Sequence, residues 1–121
     1  MPWTIAFHDD FGPEFRAWRR DVQAAAIVAI GVLQRIGPTL GRPHADTLHG
    51  SKHANMKELR FSVSDGEWRI AYAFDPVRSA ILLAGGSKSG MPQRRFYRRL
   101  IRIADGRFDA HLATMQAKKE R

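Results

Sequence analysis

Apolar positions along the chain recur at two different spacings, and the spacing assigns each stretch to a strand or a helix. Trp3 to His8 is short, apolar and β-prone, and Asp9-Asp10 breaks it, which predicts a first strand. Phe11, Phe15 and Trp18 fall at helical spacing and predict a short helix over Phe11 to Trp18. Asp21 is placed to cap a second helix through VQAAAIVAIGVLQRIG, which Gly37-Pro38 stops. Within it, Ala24 to Leu33 is almost wholly apolar and predicts a buried helix, one half of a helical hairpin covering a sheet. That run is far shorter than the roughly 20 residues of a membrane span.

Pro38 to Asn55 is rich in Pro, Gly, Ser, Asn and His and predicts a long loop of the kind that often carries function. It delivers the chain to KELRFSV, where Lys57, Leu59, Phe61 and Val63 alternate with Glu58, Arg60, Ser62 and Ser64. Asp65-Gly66 signals a hairpin turn into WRIAYAF, and Asp75-Pro76 turns that segment into SAILLAG. Three strands joined by tight turns predict an antiparallel meander. Pro92 then sits where a helix begins, and Phe96, Leu100, Ala104, Phe108, Leu112 and Met115 form its apolar stripe, with a break possible at Gly106. The predicted order is β-α-α-β-β-β-α, an α+β fold built on a small antiparallel sheet.

WRIAYAF divides unusually between its two faces. Trp68, Ile70, Tyr72 and Phe74 make one face all bulk, while Arg69 shares the other with Ala71 and Ala73. The small neighbours leave room around Arg69 for a phosphate or a closely packed helix end. A salt bridge to Glu58 or Glu67 is the structural alternative.

Composition narrows the partner class. The 121 residues suit one domain over 1–121, and the formal net charge of +8 biases the protein toward polyanions. Six of those eight net charges lie between Pro92 and Arg121, where nine basic residues face three acidic ones. The absence of cysteine removes disulfides and thiolate chemistry and fits a reducing interior. MPWTIAFHDD has neither the basic nor the apolar region of a secretory signal, so a cytoplasmic location without membrane attachment is expected.

Several motifs are then set aside. GGSKSG has the glycine spacing of a phosphate-binding loop, but Met91-Pro92 follow where that loop needs Lys and Ser or Thr. His49 and His53 are four apart, yet Gly50-Ser51-Lys52 argues against a helix and no third metal ligand is evident. His111, inside an apolar stripe, reads as a core histidine with a satisfied ring. There is no nucleophile elbow and no paired-carboxylate pattern. What remains is a basic set from separate segments: Lys57, Arg60, Arg69, Lys88, Arg94 and Arg95, with Tyr97 close by. The first four are expected to align at one side or end of the sheet and to grip phosphate.

The run NMKELRFSVSDGEWRIAYAF, followed by AILLAGGSKSGMP and a long basic helix, resembles the HigB-like, phage-derived toxins of the RelE/ParE superfamily. The resemblance extends to the amino-terminal helical pair and to GPTLGRP. It implies a toxin neutralised by a helix-turn-helix (HigA-like) antitoxin in a hetero-oligomer, and cleavage of messenger RNA on the ribosome without a cofactor or metal. Its pattern of basic residues carries over to Lys57, Arg60, Arg69 and Lys88, with Tyr97 a candidate for the histidine or tyrosine some members use near the chain end; catalytic roles are expected of Arg69, Lys88, Lys57 and Tyr97, and RNA contacts of Arg60, Lys52, His53, Arg94, Arg95 and Arg98. The sequence departs from the family pattern at Lys88-Ser89, where paired lysines are common. Two other readings share the fold: a ParE-like gyrase inhibitor without catalysis, and an inactive nucleic-acid-binding relative.

Overall fold

KELRFSV, WRIAYAF and SAILLAG pair as the antiparallel meander their turns predict. A computed structural model describes residues 2–120. Its elements are β1 (Thr4–Phe7), α1 (Phe11–Arg16), α2 (Arg20–Ile36), a single 3-10 turn (Gly37–Thr39), β2 (Ala45–Thr47), β3 (Lys57–Val63), β4 (Gly66–Phe74), β5 (Ser79–Ser87) and α3 (Gln93–Lys119). The strands form one sheet in the order β1-β5-β4-β3-β2. Two features correct the expected sheet. The long loop contains the short strand β2, which pairs antiparallel with β3, and β1 joins β5 in parallel, so the sheet is mixed. β2 has three residues, too few for a periodic pattern to be legible.

The alternation on β3 and β4 sorts the core into two layers. Leu59, Ile70, Tyr72 and Leu82 face α1 and α2 together with Phe11, Phe15, Ala26 and Leu33. Ala71, Ala73, Ile81 and Leu83 face α3 and meet Phe96, Leu100, Ala104 and Phe108. The small side chains of Ala71 and Ala73 therefore admit a helix. A bulge follows, since Ala71 pairs with Ala84 and Tyr72 with Leu82, leaving Leu83 as the extra residue. Gly85 is required by packing: a Cβ there would lie 2.8 Å from the Trp18 ring and 2.9 Å from the Arg69 carbonyl oxygen.

α2 is not the buried helix its composition suggests. Val22, Ala26 and Leu33 are buried, whereas Ile27 and Val28 are 60% and 70% exposed. The sheet covers only one stripe of it. α3 continues through Gly106, since the buried residues on both sides outweigh the roughly 1 kcal/mol cost of a helical glycine. Polar latches fasten α3 to the rest of the fold. Asp109 accepts from Lys52 Nζ at 2.7 Å and lies 2.8 Å from His53 Nε2, and Asp105 accepts from Ser51 at 2.5 Å. Farther along, His111 Nε2 is 2.8 Å from Asp75, whose other oxygen accepts the amides of Val77 and Ser79 and so shapes the β4–β5 turn. His111 is thus a satisfied histidine, as its setting predicts.

Candidate nucleic-acid interface

β3 places Glu58 and Arg60 on the sheet face that carries α3, and β4 places Arg69 directly across from Arg60. Two arginines in that register repel one another. Glu58, diagonal to Arg69, offsets the repulsion: its Oε2 accepts from Arg60 Nη1 at 2.9 Å, and its Oε1 lies 3.4 Å from Arg69 Nε. From the first turns of α3, Tyr97 donates its hydroxyl to the same Oε1 at 2.6 Å. Burial, then the bond to Glu58, pushes the Tyr97 phenol up, so it stays protonated.

Above this network lies an open cavity of about 490 Å³, walled by Arg42, Asp46 and His49 from the β2 segment, Glu58 and Arg60 from β3, Lys88 after β5, and Tyr97 and Gln93 from α3. Arg60 is committed to Glu58 and Arg42 to Asp46 at 2.8 Å. Lys88 has no carboxylate within 4 Å among the described residues, and its Nζ stands 5.7 Å from the centre of the Tyr97 ring. The groove therefore offers one uncommitted ammonium group beside an arginine, a phenol and an imidazole. Such a set can bind a phosphodiester and exchange protons with it.

The structure brings together Arg60, Lys88 and Tyr97 and corrects the placement of the other expected catalytic residues. Arg69 is only 1% exposed, sealed under α3, with Nη1 donating to the Trp68 carbonyl at 2.8 Å. The space beside it is filled by the helix. Its ion pairs with Glu58 and with Glu67, at 3.4 and 3.5 Å, realise the structural alternative. Lys57 is on the opposite face of the sheet, where Nζ donates to the carbonyls of Pro38 and Leu40 and desolvation lowers its pKa. Its alternation with Leu59 already carried that signal. Lys52 and His53 are tied to Asp109, farther down α3. Arg94, Arg95 and Arg98 are exposed on the outer side of the helix turn that supplies Gln93 and Tyr97.

Arg42 and Gln93 are groove residues that residue patterns do not single out, while the sequence marks Glu58 only as a partner for Arg69 and His49 only as half of a histidine pair set aside as a metal site. Only Glu58 left a usable trace, by sharing a strand face with Arg60. His49 reaches the groove because β2 folds its segment against β3, and it lies apart from His53.

The chain is similar to known proteins. Over 101 residues the chain is 46% identical to the proposed toxin HigB2 of Mycobacterium tuberculosis, covering 83% of this chain and 50% of that protein. It is 47% identical over 100 residues to the proposed toxin HigB3 of the same organism, covering 83% of this chain and 85% of that protein. The chain thus spans about half the length of HigB2. A solved structure of a mutant Escherichia coli toxin RelE in the free state superposes with a TM-score of 0.57 at 10% identity, covering 84% of this chain and 95% of that one, which establishes a shared fold. The pattern of the phage-derived Gp49-like proteins (DUF891) matches residues 13–109 and so takes in both helical layers, the meander and the groove. The chain resembles HigB2 and HigB3 in sequence and RelE in fold, and it belongs to the phage-derived Gp49-like family.

Proposed function

We propose that this protein is the toxin of a toxin-antitoxin pair and acts as an endoribonuclease on messenger RNA held by the translating ribosome. The observation that carries this reading is the groove itself, with Lys88 uncommitted above the Arg60–Glu58–Tyr97 network. The similarity to HigB2 and HigB3 supports the toxin role and, with it, a neutralising helix-turn-helix antitoxin as partner.

The chemistry asks little of so small a protein. RNA is cut when a 2′-oxygen attacks the adjacent phosphorus in line, forming a 2′,3′-cyclic phosphate as the bond to the 5′-oxygen breaks. The 2′-hydroxyl gives up a proton and the 5′-oxygen gains one. Lys88 and Arg60 stabilise the charge that builds on the phosphoryl oxygens. The start of α3 adds the favourable field of a helix N-terminus beside Gln93. Tyr97 and His49 are the groove's proton-exchanging side chains, and the exposed Arg94, Arg95 and Arg98 hold the flanking backbone. Arg69 contributes from below by supporting Glu58. Alignment of the scissile phosphate is left to the ribosome, which explains why the groove is open and shallow.

The test is a translation extract supplied with purified protein. Wild type is expected to destroy a translated message, and Lys88→Ala to slow that loss by roughly ten- to a hundredfold, the range of a lost transition-state charge contact. An intact message with persistent inhibition of DNA supercoiling would replace this reading with the gyrase one.

A further inference from the structure

Three polar groups at and beneath the groove, Arg60, Arg69 and Tyr97, are tied to one carboxylate. Glu58 is 4% exposed, yet it meets Arg60 at 2.9 Å through one oxygen and both Tyr97, at 2.6 Å, and Arg69, at 3.4 Å, through the other. Among the described residues Arg69 Nε has no hydrogen-bond partner, so its charge is answered by proximity to Glu58 and, at 3.5 Å, to the exposed Glu67. Without Glu58, Arg60 and Arg69 would face each other across β3 and β4 with only the exposed Glu67 near Arg69. Tyr97 would lose the acceptor that fixes its hydroxyl.

We propose that Glu58 is the positioning residue of the groove: it sets the Arg60 guanidinium and the Tyr97 hydroxyl in place and leaves Lys88 as the cation free to take the scissile phosphate. The inference rests on the nuclease reading for its catalytic consequence. Its geometric content is independent of that reading.

This role separates binding from turnover. A carboxylate lining a groove for a polyanion opposes binding by charge, so its neutralisation favours RNA binding while removing the alignment that cleavage requires. Glu58→Gln is the variant of choice because it keeps the size of the side chain and its acceptor oxygen. Purified Glu58→Gln is expected to bind single-stranded RNA at least as tightly as wild type and to cleave translated message at least tenfold more slowly. Cleavage at the wild-type rate would overturn the proposal. So would parallel loss of binding and cleavage with a lowered Tm, which marks a merely structural residue.

A second measurement stands apart from cleavage. In a Tyr72→Phe background Tyr97 is the only tyrosine, and its ionisation is read from ultraviolet absorbance against pH. Glu58→Gln should lower the pH at which this phenol ionises, because a charge that opposes phenolate is removed. An unmoved titration contradicts the hold of Glu58 on Tyr97. If wild type fails to cleave but the titration moves, the nuclease reading falls and the positioning role stands.

Discussion

At the residue scale the informative side chains are those whose surroundings differ from what their type suggests. Arg69 stands out in the sequence as the single charge on an apolar strand, and its neighbours Ala71 and Ala73 do signal close approach. A strand pattern shows that a face is bare without showing what fills it, and here α3 does. Arg69→Ala should therefore destabilise the fold by roughly 3 kcal/mol, the cost of removing one partner of a buried ion pair together with its packing under α3, and this is read from chemical denaturation. Tyr72 offers the opposite case. Its hydroxyl is buried without a hydrogen-bond partner among the described residues, and desolvation raises its pKa, so Tyr72→Phe should leave Tm unchanged or raise it, by up to about 1 kcal/mol of stability. Lys57 shows that parity along a strand was sufficient to separate it from Arg60, because the two residues are three apart and must face opposite sides.

At the element scale, GGSKSG is explained by packing at its first position. Gly85→Ala would drive a Cβ into Trp18 and the backbone of β4, whereas the nearest neighbour of a Cβ at Gly86 is Phe96 at 3.8 Å. Gly85→Ala should cost about 1–3 kcal/mol and Gly86→Ala little, a contrast that thermal melting resolves. Sequence periodicity found β3, β4, β5 and α3 because each is long enough to repeat. It missed β2, and it could not show that only one stripe of α2 meets the sheet, since an all-apolar run carries no face information. The segment joining β2 to β3 is held by Asp109, whose carboxyl is kept below its ordinary range by Lys52 and then by His53. A carboxylate depressed in the folded state contributes stability above its unfolded pKa of about 4, and that contribution is lost as pH falls through the folded value. Protection of the amides of residues 49–55, taken relative to their intrinsic exchange at each pH, should fall in acid, and Asp109→Asn should show the same loss of protection at neutral pH.

For the whole molecule, the charge distribution is what the proposed RNA partner would meet. Lys88, with no carboxylate within 4 Å among the described residues, lines one cavity, and Arg94, Arg95 and Arg98 are exposed on the helix that also lines it, while Arg69, Lys57, Lys52 and His53 are engaged in contacts within the fold. Binding to single-stranded RNA should weaken linearly in log salt, and Lys88→Ala should reduce that slope by about 0.7, one phosphate contact. The +8 charge made an excess of positive surface legible from composition, but the groove depends on β2, β3, β5 and α3 converging, which only the folded chain reveals. The most direct test maps 5′ ends by primer extension on one message, with and without translation, after adding wild-type or Lys88→Ala protein. New ends that fall in register with codons, need translation and fade with Lys88→Ala are the predicted result. The absence of such ends with wild type, or ends unchanged by Lys88→Ala, would contradict the account.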